Sequence, residues 1–243
     1  MTTFLVSGTG TEVGKTVVTA AVASLTVGRS RTCTVIKPGQ TGVPDGGPGD
    51  LSDVVRLAGE RVRTVELARY PDPLSPAAAA RRSGRATVDL AMVASAVLQA
   101  QRDSDLVLVE GAGGLLVHYD DDGFTMADLA RALRLPVLLV VSCGLGTLNS
   151  TALTLEVMAG RGLELAGLVI GSWPERPTLA DCSNVPDLER LAARPLLGAP
   201  AAGIGRCDRS GFAEAARAGI APALGGSFDA SAFRRAAAAA AAA

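Results

Sequence analysis

Residues 8–16 read Gly8-Thr9-Gly10-Thr11-Glu12-Val13-Gly14-Lys15-Thr16, between an apolar run at 3–7 and a helical pattern at 15–26. A strand that turns through glycines into a helix start makes an anion cradle. The glycines let backbone N–H groups curl round a phosphate, the helix start adds further donors, and a lysine reaches the terminal phosphates. Thr16 then offers a hydroxyl to Mg²⁺. The spacing departs from the usual G-x-x-x-x-G-K-[ST], because Thr9 stands where the first glycine belongs and Gly8 comes one residue early. The competing reading is a glycine-rich strand-to-helix turn with no ligand. Gly-Lys-Thr directly after strand and loop argues against it.

Beyond this segment, short Val/Leu runs alternate with longer helical patterns. Strands are predicted at 3–7, 32–36, 106–109, 137–141, 166–170 and 195–197. Helices are predicted at 15–26, 50–58, 88–100, 126–132, 150–159, 185–192 and 212–218. The β-α alternation predicts an α/β fold: a single-domain P-loop NTPase architecture, with a doubly wound, mostly parallel sheet flanked by helices. The chain is 48% hydrophobic but 3% aromatic, which suits a sheet buried on both faces by Val, Leu and Ala. One domain is expected over residues 1–235, followed by a low-complexity alanine tail at 236–243. Residues 43–49, rich in Gly and Pro, read as a flexible loop.

Only two lysines, Lys15 and Lys37, occur against 21 arginines. A lysine kept in such a background points to a place that needs a compact ammonium rather than a planar guanidinium. Lys37 opens Lys37-Pro38-Gly39-Gln40-Thr41-Gly42, after a predicted strand. A second ammonium near the phosphates implies a negatively charged acceptor brought against a negatively charged donor. Glu110 ends another predicted strand, and Asp50 starts a helix. Thr16, Asp50 and Glu110 offer hard oxygen ligands for Mg²⁺. N-capping is the alternative for Asp50, and Asp53 is a less favoured ligand. The net charge of −1 gives no electrostatic case for nucleic acid or an anionic membrane. No run approaches the length of a membrane span. The four cysteines are widely spaced and read as reduced thiols, and no signal peptide is visible. A cytoplasmic protein is therefore expected.

GTGTEVGKT, KPGQTG, the Asp50 segment, LVEGAGGLLV (108–117), LGTLN (145–149) and LAGLVIGSW (165–173) occur in that order. Together they resemble the dethiobiotin synthetase family of the biotin pathway, over residues 3–200. The resemblance implies a homodimeric ligase that uses ATP as co-substrate and Mg²⁺ as cofactor. Such an enzyme joins CO₂ (supplied as bicarbonate) to 7,8-diaminononanoate, giving dethiobiotin, ADP and phosphate. It also implies site roles. Lys15 bridges the phosphates and a carbamate, and Lys37 stabilises the transferred phosphoryl group. Glu12, Val13, Gly14, Lys15, Thr16 and Val17 wrap the nucleotide phosphates, with Asp50, Glu110 and the backbone of Gly111, Ala112 and Gly113 beside them. Thr11, Thr41, Pro73 and Leu74 face the diamine. Leu145, Gly146 and Asn149 anchor its tail carboxylate across a dimer interface, where plain helix capping by Asn149 is the competing reading.

The base pocket departs from part of the family. Where some members carry Asn, this chain has Gly171 followed by Ser172, and the other expected wall, Pro200, Ala201 and Ala202, offers no side-chain reader. Adenine selectivity is therefore expected to be weak. His118, the only histidine, is read as a surface residue. Two rival readings are a P-loop switch ATPase acting through a partner and another P-loop amidoligase. The first usually carries an additional early lysine in the loop, absent here. The second usually has glutaminase sequence, for which no room remains after residue 200.

Overall fold

A computed structural model describes residues 2–242. Six strands form one sheet in the order β3-β2-β4-β1-β5-β6, all pairs parallel. They are β1 (Thr2–Gly8), β2 (Cys33–Thr41), β3 (Val62–Tyr70), β4 (Leu106–Gly114), β5 (Val137–Val141) and β6 (Leu165–Ile170). The helices are α1 (Lys15–Val27), α2 (Asp50–Ala58), α3 (Pro76–Ser83), α4 (Leu90–Asp103), α5 (Met126–Leu133), α6 (Thr147–Gly160), α7 (Leu179–Ala192), α8 (Arg209–Gly219) and α9 (Ala230–Ala241). This is the doubly wound α/β sheet that the alternation predicts.

Strand periodicity explains the two cores. Leu5, Ile36, Val107, Val109 and Leu139 point to one face and pack on α4, α5 and α7. Their neighbours Val6, Val35, Leu106, Leu108 and Leu138 point to the other, onto α1, α2 and α8. With both faces covered, the central strands can be continuous apolar runs.

The structure corrects several sequence-based elements. Residues 195–197 are not a strand; only isolated bridges form nearby, such as Val169 with Gly198. Pro195 lacks the N–H that a ladder needs. β3, α3 and α9 are additional. Residues 236–241 of the alanine run belong to α9, whose Ala237 is buried and whose Phe233 meets the edge of Trp173 at 4.8 Å between centroids; residue 243 lies outside the described residues. β2 does not stop at Ile36. It continues through Lys37-Pro38-Gly39-Gln40-Thr41 beside β3, pairing Lys37 with Glu66 and Gly39 with Ala68. That extension carries Lys37 to Thr41 along the carboxyl end of the sheet, where open α/β folds bind ligands.

Candidate active site

A cavity of about 770 Å³ opens at the carboxyl ends of β1, β2 and β4. Thr11, Glu12, Gly14, Lys15, Thr16 and Val17 line one side, from the loop after β1 and the first turn of α1. Lys37, Gly39, Gln40, Thr41 and Asp50 line a second. Glu110, Ala112, Gly113 and Val117 form the floor, and Pro73 to Pro76 form the rim.

The loop is built by two unusual backbone positions. Gly14 (φ 94°) and Glu12 (φ 58°) lie in the left-handed region, which a β-branched residue would resist. α1 then begins at Lys15 without a side-chain cap, so the amides of its first turn stay available to an anion. Lys15 Nζ donates to Gly10 O at 2.8 Å, folding back over its own loop. Burial, then the charge of Lys37, hold the Lys15 pKa below the ordinary lysine value.

The second lysine is held differently. Lys37 Nζ lies 2.5 Å from Asp50 Oδ2 and 2.9 Å from Glu110 Oε1. Burial alone would lower its pKa, but Glu110 and Asp50 outweigh that and raise it above the ordinary value. Glu110 Oε1 also accepts from the Thr16 hydroxyl at 2.8 Å. Thr16, Asp50 and Glu110, far apart in sequence, thus share one cluster. Glu110 Oε2 is buried with no protein hydrogen-bond partner among the described residues. A divalent cation suits such an orphaned carboxylate oxygen. Among the described residues no three His, Cys, Asp or Glu side chains gather, so phosphate oxygens and water would complete the coordination, as Mg²⁺ prefers.

Two residues that sequence reasoning passed over organise this cluster. Gln40, 4% exposed, accepts from the Asp50 amide at 2.8 Å and donates to Thr41 O at 3.2 Å. It fastens the start of α2 to β2, so Asp50 is the first residue of α2 rather than its cap. Asp53 turns outward to Arg56. Tyr119, fully buried, accepts from the Ala112 amide at 2.6 Å and fixes the carboxyl end of β4. Gln40 lies within KPGQTG, but that string does not show its bond to Asp50, and Tyr119 acts through chain that only the fold brings near.

Other expected site residues lie outside this cavity. Gly171 is buried behind the loop: a Cβ there would stand 1.9 Å from Val13 O. Gly111 is buried beneath the floor. Ser172, Ala201 and Ala202 are exposed and Pro200 is buried, on the far side of Gly171. Leu145, 91% exposed, and Asn149 stand on the surface at the start of α6. The cap of α6 is Gly146, with no side-chain hydrogen bond, so Asn149 does not cap it. Asn184 Nδ2 donates to the Cys143 and Gly144 carbonyls and holds that loop. His118 is exposed.

Comparison with known proteins shows the family. A protein-family model described as an AAA domain matches residues 2–199. The ATP-dependent dethiobiotin synthetase BioD of Parafrankia sp. (strain EAN1pec) is 60% identical, over 97% of this chain and 98% of that protein. The chain belongs to the ATP-dependent dethiobiotin synthetase family. The relative of the same name from Streptomyces coelicolor is 53% identical over 96% of this chain and 98% of its own length. Two solved structures share the architecture with little sequence identity. One is the Aquifex aeolicus MinC:MinD cell division protein complex (TM-score 0.58, 10% identity, 94% of this chain and 98% of that one). The other is a ParA family ATPase from Chlorobium tepidum (TM-score 0.53, 14% identity, 97% and 98%). These two speak for the fold alone.

Proposed function

We propose that this protein uses ATP and Mg²⁺ to close the ureido ring of dethiobiotin from 7,8-diaminononanoate and CO₂, releasing ADP and phosphate. The observation that carries the reading is the convergence of both lysines with Asp50 and Glu110 on one cavity, in a chain of this family. A phosphate-binding loop alone would serve any nucleotide hydrolase. A second buried ammonium fits a phosphoryl acceptor that is itself an anion.

The chemistry then runs in three steps. One amine of the substrate attacks CO₂ and loses a proton, giving a carbamate. A carbamate oxygen displaces ADP from the γ-phosphorus. The second amine attacks the carbonyl carbon of the mixed anhydride, loses a proton, and expels phosphate. The protein's part is positioning and charge neutralisation. The loop amides and Lys15 hold the phosphates, and Lys37 meets the charge on the transferring group. Thr11, Glu12 and Thr41 face the diamine, and Pro73 and Leu74 border its chain. Thr16, Asp50 and Glu110 would hold Mg²⁺, which supplies Lewis-acid neutralisation of the phosphate oxygens.

We place the tail carboxylate at Leu145, Gly146 and Asn149 of a neighbouring subunit, in a homodimer. The uncapped start of α6 supports this, because its amides and dipole attract an anion. Four free thiols support a reducing, cytoplasmic setting, and no described helix is long and apolar enough to cross a membrane. The test is phosphate release with diamine, bicarbonate and ATP, each omitted in turn. Release should require all three. Equal release from ATP alone would turn the reading toward a nucleotide switch.

A further inference from the structure

An ammonium has three protons, and Lys37 has three acceptors: Asp50 Oδ2 at 2.5 Å, Glu110 Oε1 at 2.9 Å and Gly111 O at 3.5 Å. No donor is left over for a phosphoryl oxygen. The two carboxylates it holds are the same two that suit a divalent ion. One of them, Glu110, already divides Oε1 between Lys37 and Thr16.

We propose that Lys37 and the divalent metal are alternative occupants of the Asp50–Glu110 carboxylates, so that metal arriving with the nucleotide releases Lys37 toward the phosphoryl group. This rests on the metal assignment above and adds an order of events to it. The Lys37 side chain is 4% exposed and that of Glu110 2%, so water screens their charges poorly. A divalent ion set against these oxygens with Lys37 in place would meet a desolvated positive charge at close range. Lys15 adds to that repulsion, since it lies near enough for Lys37 to perturb it. A displaced ammonium needs a new anionic partner, and the nucleotide phosphates supply one. Metal alone is thus refused, and metal with nucleotide is accepted. Lys37 is set free only when its phosphoryl target is present.

The test is a Mn²⁺ titration without nucleotide, read from the electron paramagnetic resonance of the free ion. It uses the full chain as wild type, Lys37→Met, and Lys37→Met combined with Glu110→Gln. Lys37→Met should bind Mn²⁺ at least tenfold more tightly than wild type, and the second substitution should cancel that gain. Equal affinity in wild type and Lys37→Met overturns the proposal. Should Lys37→Met fail to fold, the wild type with Mg²⁺ and a non-hydrolysable ATP analogue decides by crystallography. The Lys37–Asp50 contact should be broken there. A retained contact with metal on the same carboxylates overturns the exchange while leaving the metal assignment standing. Unchanged Mn²⁺ binding by Glu110→Gln in the presence of the analogue overturns both.

Discussion

Lys37 stands between two acids at distances suited to a small cation, which sets what can replace it. A guanidinium keeps the charge but is wider and fixes its donors in a plane. We expect Lys37→Arg to lower turnover by about 10²–10³, the usual cost of losing one well-placed donor at a developing charge. ATP affinity should fall far less, because the loop amides and Lys15 remain. Turnover within about threefold of wild type would reduce Lys37 to a bystander. Gly171 is constrained by space rather than by charge. A methyl group there would press on Val13 O from 1.9 Å, so the phosphate loop has to move. Gly171→Ala should weaken ATP binding by roughly tenfold or more, since misplacement by an ångström is costly. Calorimetric titration showing unchanged affinity would contradict this. In this chain a side chain at 171 has no room.

At the scale of elements, the start of β4 is tied to the residue before β2. Asp105 accepts from the Thr32 amide at 2.8 Å and from the Thr32 hydroxyl at 2.9 Å. The Thr32 amide first, then its hydroxyl, hold the Asp105 carboxyl below its ordinary 3.8. A depressed carboxyl adds stability above its unfolded pKa and loses it as pH falls through the folded one. Wild type should therefore melt above Asp105→Asn at pH 6, and the gap should close below pH 3.8. A gap that stays constant down to pH 2 would assign the difference to packing. Elements also divide what is legible in sequence. The loop at 8–16 is contiguous, and its glycines, lysine and threonine announce it. β3 is hidden because Arg63, Glu66 and Arg69 interrupt its apolar residues, as an edge strand permits. β2 beyond Ile36 is hidden because Pro38 and Gly39 read as a break, yet β3 holds the segment extended. The alanines of α9 carry no periodicity, and tertiary docking, through Phe233, Ala237 and the Arg234–Glu189 pair, gives that helix a place. The roles of Gln40 and Tyr119 are hidden for a related reason: each serves the site through a partner that only the fold brings near.

For the whole molecule, exposed leucines stand on α6 and just before it, as others do elsewhere on the surface. Leu145 is 91% exposed and Leu153 59%, while α6 buries only Thr147, Thr151 and Met158. A helix this apolar wants a partner, and the proposed carboxylate anchor sits at its start. Sedimentation at working concentration should give a dimer, with activity lost on dilution to monomer; a fully active monomer would place the anchor elsewhere. Whether the cavity couples ATP cleavage to ring closure can be measured directly. The purified protein is given ATP, Mg²⁺, 7,8-diaminononanoate and ¹³C-bicarbonate, and the products are weighed by mass spectrometry. One ADP per dethiobiotin is expected, with the label in the ureido carbonyl. ADP accumulating without labelled dethiobiotin would contradict that coupling.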